Sequence, residues 1–165
     1  MKKRIAFVHN AMWEMYNFRG ELLQELKAKG YEITVICPPD EKNAHYFTDL
    51  GIKLLTVPMS RKGTNIKEDV QLVKNLFKVY KKEKFDLVFH YTIKPNIYGT
   101  LAAKLAGIKS IAITTGLGYV FLHNNITSLI AKFMYKFSLA FAKEVWFLND
   151  DDMNIFLDKD LITER

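Results

Sequence analysis

The sequence predicts an α/β fold: a doubly wound parallel sheet between two layers of helices, which is a Rossmann-like, three-layer α/β/α domain. Short apolar, β-branched runs alternate with longer amphipathic segments over the 165 residues. This alternation is typical of βα units and therefore of a parallel sheet covered on both faces. Because crossovers between parallel strands are right-handed, six such strands favour the doubly wound arrangement.

The elements follow one another in regular order. Apolar or β-branched runs predict the strands, and helical periodicity with cap residues predicts the helices. The predicted strands are residues 4–8, 32–36, 53–57, 86–90, 110–114 and 144–148. The predicted helices are residues 18–29, 41–50, 66–83, 95–106 and 126–143, with a short last helix after Asn149.

Cap residues and spacing define the helices further. Asn17 has the residue type of an N-cap for the first long helix, and Gly30 suits the position just after its end. Pro95 suits the first turn of the helix that Gly107 ends. Helical spacing predicts a buried face in two helices. These faces consist of Phe18, Leu22, Leu23 and Leu26 in the first and of Ile66, Val70, Val73, Phe77 and Tyr80 in the second.

Composition limits the class of protein. Hydrophobic residues make up 49% of the chain, which is enough for the core of one domain. Cys37 is the only cysteine, so no internal disulfide is possible, and the thiol is expected in the core. The apolar run that ends at Val8 is too short for a signal peptide, and no window is long enough to cross a bilayer. We therefore expect a cytoplasmic protein, whose net charge of +6 favours an anionic partner.

Ligands of open parallel sheets bind at the carboxyl ends of the strands, so the loops there are the candidate sites. The loop at residues 9–17 contains no glycine, which disfavours a dinucleotide site. The loop after the fourth strand brings His90, Thr92 and Lys94 in front of a helix amino terminus, where an anion could bind. A solvated lysine beside a histidine packed at the strand end is the equally weighted alternative.

The loop after the fifth strand contains Thr115, Gly116 and Gly118. Two glycines permit a positive φ or a close approach of a ligand to the backbone, although an ordinary turn has the same composition. Asp150, Asp151 and Asp152 look like the acidic first turn of a helix rather than a metal site. No cluster of metal ligands and no nucleophile elbow is present in the sequence, so no metal is expected.

The helix at residues 126–143 carries an aromatic stripe beside several lysines. The residues of the stripe are Ile130, Phe133, Met134, Phe137 and Phe141, and the lysines beside it are Lys132, Lys136 and Lys143. A stripe at this spacing is more often part of a core, which is the interpretation that we favour. The alternative is that some of these side chains face an anionic bilayer surface.

Four segments carry a family resemblance. They are residues 16–19 (YNFR), 92–99 (TIKPNIYG), 115–121 (TGLGYVF) and 147–152 (FLNDDD). With these segments in this order, the chain resembles the amino-terminal domain of bacterial family 4 glycosyltransferases of the GT-B fold. It is similar in particular to members that act on polyprenyl-diphosphate-linked acceptors in surface polysaccharide synthesis.

The resemblance implies a retaining sugar transfer from a nucleotide-diphosphate sugar, without metal or other cofactor, in a cleft between two Rossmann-like domains. Residues 1–165 would be the acceptor-side domain, and a carboxyl-terminal domain absent from this chain would hold the donor. The chain alone is then expected to be inactive. The expected partners are its own carboxyl-terminal domain, a lipid-linked or oligosaccharide acceptor and the anionic inner face of the plasma membrane, but no nucleic acid.

The expected substrate-binding residues are Asn17, Arg19, His90, Thr92, Lys94, Thr115, Gly116 and Gly118. Many family members have a histidine in the loop after the fifth strand, where this chain has Thr114-Thr115-Gly116-Leu117-Gly118. No catalytic residue is therefore assigned.

Two other functions stay open at the level of sequence. The first is a non-catalytic subunit that binds the acceptor or tethers a separate catalytic chain to the membrane. The second is a basic domain that binds nucleic acid, which the dispersed lysines make the less favoured choice.

Overall fold

The computed structural model describes residues 2–60, 65–117 and 126–163. Within these ranges it contains a six-stranded parallel sheet with strand order β3-β2-β1-β4-β5-β6. The strands are β1 (Arg4–Val8), β2 (Glu32–Cys37), β3 (Lys53–Thr56), β4 (Leu87–Tyr91), β5 (Lys109–Thr114) and β6 (Glu144–Phe147). The predicted Rossmann-like, doubly wound fold is confirmed.

Helices connect the strands in the expected alternation. They are α1 (Met12–Ala28), α2 (Glu41–Asp49), α3 (Ile66–Glu83), α4 (Thr100–Ala106), α5 (Ile126–Leu139) and α6 (Asp150–Asp158). A π-helical turn, Pro95–Gly99, leads directly into α4. Asn149 caps α6 by accepting a hydrogen bond from the backbone N–H of Asp152, so the three aspartates form the first turn of that helix, as predicted.

Apolar side chains fill both faces of the sheet. On one face α1 and α2 bury Met15, Leu23 and Phe47 against β1 and β2. On the other face α3 and α4 cover β1, β2 and β4, and α5 and α6 enclose a third cluster beside the π-helical turn. At the amino edge, Glu83 at the end of α3 accepts hydrogen bonds from Arg4 and Lys53. These contacts fix the edge that lies opposite the candidate loops.

The strand order brings three loops to one place. Val8 of β1 pairs with His90 of β4, and Tyr91 of β4 pairs with Ile113 of β5. Because these strands are parallel, the loops that follow them leave the sheet at the same edge. The direction of winding reverses between β1 and β4, and ligands of such folds bind at this reversal.

The prediction for the start of α1 was wrong. The helix begins at Met12, immediately after β1, so Asn17 lies inside it and does not cap it. The N-cap residue is Ala11, which makes no side-chain cap hydrogen bond. Asn17 suggested a cap only because asparagine is a residue type that is common at N-caps. The predicted buried face was wrong in part, since Leu23 is buried but Phe18 and Leu22 are exposed.

The bounds predicted for α3 are confirmed, but its predicted buried face is correct only in part. Tyr80 is buried, and Val73 and Phe77 pack half-buried against the core. Ile66 and Val70 are exposed. The buried residues are Asp69, Leu72, Leu76, Tyr80 and Glu83. Two of these five carry carboxylates that are buried because they have partners elsewhere in the fold, and a hydrophobic pattern cannot reveal such positions.

A close contact fixes the π-helical turn on the sheet. The fully buried His90 ring lies against Gly99, where an added Cβ would be 2.6 Å from ring atoms Cδ2 and Nε2. Tyr80 and Thr100 hold the ring from either side, so it cannot move away easily. Gly99 is therefore required by space rather than by backbone conformation.

We predict that Gly99→Ala destabilises the domain by about 2 kcal/mol, because overpacking at a fixed neighbour outweighs the better helix propensity of alanine. Urea unfolding monitored by circular dichroism measures this change. The matched control is Gly20→Ala in α1, where the added Cβ meets only Tyr16 ring atoms at 3.6 Å and 3.7 Å. That substitution is expected to stabilise by about 0.5–1 kcal/mol. Equal effects at the two positions would contradict this account.

Candidate functional site

The loop after β4 has an unusual backbone. Thr92 has φ 68°, in the left-handed region that a β-branched residue rarely adopts. Its carbonyl accepts a hydrogen bond of 3.0 Å from the Asn96 backbone N–H, and the Asn96 side chain donates to the Ile113 carbonyl at 3.0 Å. Such strain persists only where the surroundings impose it, and it is found preferentially at functional sites.

Two hydroxyls at this edge are buried without a hydrogen-bond partner among the described residues. They are Oγ1 of Thr92 and Oγ1 of Thr114, which lie at the carboxyl ends of the adjacent strands β4 and β5. Most buried hydroxyls are hydrogen-bonded, so each unpartnered one needs an explanation. Both oxygens are closed to solvent, so a polar ligand could reach them only after a local rearrangement of the edge.

Lys94 is held in a buried network. Its ammonium donates to Oδ1 of Asp69 at 2.7 Å and to Oγ of Ser60 at 2.8 Å, and both members of the ion pair are nearly buried, with 8% and 9% of their side chains exposed. The Tyr98 hydroxyl donates to the second Asp69 oxygen at 2.8 Å. The sequence-based choice was between an anion-binding lysine and a solvated one, whereas the structure shows an ammonium already neutralised by a carboxylate.

His90 lies beneath the edge and does not open onto it. Its ring is fully buried, with Nε2 at 2.9 Å from the Tyr80 hydroxyl and Nδ1 at 3.2 Å from the Thr100 hydroxyl. Burial lowers the pKa of His90 to about 3, so the ring is neutral at physiological pH. In this conformation the geometry supports the packed-histidine alternative.

Arg19 and Asn17 occupy the α1 side of the sheet. The Arg19 guanidinium lies 5.2 Å from the centre of the Tyr91 ring, at the carboxyl end of β4, so it reaches the edge. Burial raises the pKa of the Tyr91 hydroxyl, and the neighbouring Arg19 opposes that rise. Asn17 is exposed on α1.

The loop after β5 is open where it is described. Thr115 and Gly116 are exposed, and Gly116 has φ 127° with open space around the position of a Cβ. Of the alternatives left open for this loop, Gly116 has the positive φ. Gly118 lies outside the described residues.

Sequence reasoning missed Asp69, Ser60 and Tyr98 as members of the candidate site. Asp69 lies one turn into α3, where a carboxylate usually signals only the start of a helix. Its partner Lys94 is 25 residues away, and Ser60 is 34 residues from Lys94. No local pattern in one sequence pairs residues at such distances.

The core interpretation of the α5 stripe was wrong for most of the stripe. Its apolar side chains point outward, while Ser128 and Ser138 are buried. The exposed residues are Ile126, Leu129, Ile130, Phe133, Phe137 and, just after the helix, Phe141. Within the described residues, no helix is both long and apolar enough to cross a membrane.

The fold and this edge define a class: a Rossmann-like domain whose candidate ligand site lies at the carboxyl ends of β1, β4 and β5. Residues 4–149 match the family described as glycosyl transferase 4-like. The chain therefore belongs to the glycosyl transferase 4-like family.

The relatives of this chain include two bacterial glycosyltransferases. The N,N'-diacetylbacillosaminyl-diphospho-undecaprenol alpha-1,3-N-acetylgalactosaminyltransferase of Campylobacter jejuni is 32% identical over 157 residues, which cover 90% of this chain and 41% of the relative. The Escherichia coli UDP-Gal:alpha-D-GlcNAc-diphosphoundecaprenol alpha-1,3-galactosyltransferase is 25% identical, with 76% of this chain and 32% of the relative covered. This chain thus spans less than half the length of either relative.

Among solved structures, a glycosyltransferase from Rickettsia africae superposes with a TM-score of 0.72 at 21% identity. The match covers 98% of this chain and 42% of the other. At this identity the likeness shows the shared fold alone.

The burial of His90 predicts a pH dependence of stability. The folded pKa of about 3 lies below the ordinary value of 6.5, so the unfolded chain binds a proton that the folded chain excludes. This stability is present in full above pH 6.5 and is lost as pH falls towards about 3. Urea unfolding between pH 7 and 5 should therefore show a fall approaching about 1.4 kcal/mol per pH unit.

His90→Gln keeps a hydrogen-bonding side chain but cannot titrate, so its stability should fall less steeply over this range. His45→Gln, at an exposed position, is the matched control and should keep the wild-type slope. Equal slopes for the wild type and His90→Gln would refute the neutral buried imidazole.

Proposed function

We propose that this chain is the acceptor-side half of a glycosyltransferase that transfers a sugar from a nucleotide-diphosphate sugar to a polyprenyl-diphosphate-linked acceptor. One observation carries the proposal: family membership over residues 4–149, together with two relatives whose names specify undecaprenyl-diphosphate acceptors. The reaction would serve surface polysaccharide or glycan assembly.

The proposal divides the work between two domains. This chain would position the acceptor hydroxyl, which is a task of proximity and orientation. A second Rossmann-like domain would hold the donor and stabilise the charge that develops on its diphosphate. The 165-residue chain alone would then bind acceptor without turning over.

Within this chain we assign acceptor contacts to the edge formed by β4 and β5. Thr92 and Thr114 offer unpartnered hydroxyls there, and Thr115 and Gly116 follow in an open loop. Arg19 borders this edge from the α1 side, and Asn17 lies further along that helix. His90 would support the edge from below without touching the substrate.

We also propose that α5 rests on the inner face of the plasma membrane as a peripheral contact. Its outward face is its apolar one, with Ile126 79% and Phe133 68% exposed, and an exposed apolar surface of this kind is typical of interaction sites. Lys104 lies 5.5 Å from the centre of the Phe141 ring, and Lys136 is exposed on the helix. Apolar side chains among lysines suit an anionic bilayer.

The direction of α5 connects this surface with the acceptor site. Its last turn lies near the amino edge of the sheet, where the Lys143 backbone N–H donates to the Ser110 carbonyl at 2.8 Å. A helix of 14 residues is about 21 Å long, so its first turns extend towards the carboxyl edge. A membrane-bound acceptor would therefore lie beside the site that receives it.

Co-sedimentation with vesicles tests both parts of the proposal. The chain should bind phosphatidylglycerol vesicles more tightly than phosphatidylcholine vesicles. Binding should increase further when the vesicles contain undecaprenyl-diphosphate-linked N-acetylglucosamine. Phe133→Ser should weaken binding to both kinds of phosphatidylglycerol vesicle by about tenfold, because it removes a large apolar side chain from the contact.

The matched control is Phe18→Ser. Phe18 is 66% exposed, much like Phe133, but it belongs to α1 on the opposite face of the sheet. This variant should bind vesicles as the wild type does. If the lipid-linked sugar leaves binding unchanged, the acceptor-side function is wrong. If the two serine variants behave alike, the α5 contact is wrong.

A further inference from the structure

A cavity opens at the carboxyl edge of β2 and β3, beside the first turns of α3. Its volume is about 610 Å³, within the range of small-molecule sites. Lys94, which follows β4, lines it together with Asp69 and Ser60. The cavity therefore contains the buried ion pair and lies on the α3 side of the edge formed by β4 and β5.

The walls of the cavity are mainly apolar, and its polar groups are few and fixed. The apolar lining residues are Pro38, Pro39, Pro58, Met59 and Leu72. An ammonium has three protons, and the described contacts of Lys94 use two of them, on Asp69 and Ser60. One donor remains on a nearly buried side chain that lines the cavity, so the site has a preorganised polar group for a ligand.

Charge decides the class of ligand. Among the described lining residues the charged ones are Lys67 and Lys94, balanced by Glu68 and Asp69, so their formal charges cancel. Lys94 is moreover neutralised at 2.7 Å by Asp69. A phosphate placed here would meet a carboxylate as well as an ammonium and would gain little, whereas an uncharged polyol can hydrogen-bond to both.

We propose that this cavity is a subsite for the uncharged sugar ring of the acceptor. The proposal rests on the acceptor-side function stated above and deepens it. The proline, methionine and leucine walls would cover the C–H faces of a pyranose, while Lys94, Asp69 and Ser60 bind its hydroxyls. The acceptor diphosphate would lie outside, towards the hydroxyls of Thr92 and Thr114.

Nuclear magnetic resonance titration of the ¹⁵N-labelled chain tests the subsite with two probes. They are N-acetylglucosamine, which is the acceptor sugar in the name of the E. coli relative, and its 1-phosphate. N-acetylglucosamine should shift the backbone amide signals of Ser60, Asp69 and Asn75 saturably, with a Kd on the order of 1 mM. The phosphate should change this Kd by less than about threefold, because the charges of the described lining residues cancel.

A filling variant locates the binding. Asn75 lines the cavity at a half-buried position, so Asn75→Trp should occupy the space without touching the ion pair and should abolish the shifts. Asn154→Trp, on the exposed surface of α6, is the matched control and should leave the shifts unchanged.

The subsite is overturned by any of these results: no saturable shifts at these amides, shifts that survive Asn75→Trp, shifts lost equally in Asn154→Trp, or tightening by the phosphate of about threefold or more. Sugar-dependent shifts at Thr92 and Thr115 alone would also overturn it, while leaving the acceptor-side function intact. That function fails separately if vesicles with lipid-linked sugar bind no better than vesicles without it.

Discussion

The buried ion pair between Lys94 and Asp69 is the constraint on which the rest of the candidate site depends. An ammonium removed from water is costly unless a carboxylate and further hydrogen bonds compensate for it. Here Asp69 anchors the ammonium and also accepts from Tyr98, so one carboxylate ties α3 both to the loop after β4 and to the π-helical turn. This arrangement fixes the shape of the edge and also neutralises the ammonium of Lys94.

The edge and the outer face of α5 differ in chemistry. The edge is polar and internally neutralised, which suits recognition of hydroxyls, whereas the outer face of α5 is apolar and bordered by lysines. A lipid-linked acceptor likewise has a polar sugar and a charged diphosphate at one end and an apolar lipid tail at the other. Under the proposed function, the edge would receive the sugar and the diphosphate, and the outer face of α5 would lie beside the lipid tail.

Local signals in the sequence predicted most of the fold. The predicted strands agree with the observed ones to within one residue at either end, because β-branched runs and flanking proline or glycine are local features. The positive φ of Gly30 and Gly107 agrees with their predicted positions just after helices. The predictions that were wrong concern contacts between residues far apart in the sequence. Asp69 is buried because Lys94 faces it across the fold, and the α5 aromatics are exposed because Tyr135 and Leu139 supply the packing face instead. Periodicity finds a stripe but not the side of the helix that meets the core.

A double-mutant cycle on Lys94 and Asp69 tests the central claim most directly. Lys94→Met and Asp69→Asn each leave a buried group without its partner, and each should lower the free energy of unfolding by about 3–5 kcal/mol. The double variant leaves no lone charge at the pair, so it should lose much less than the sum of the two single losses. If the losses instead add to within about 0.5 kcal/mol, the two groups are independent and the neutralised edge is refuted.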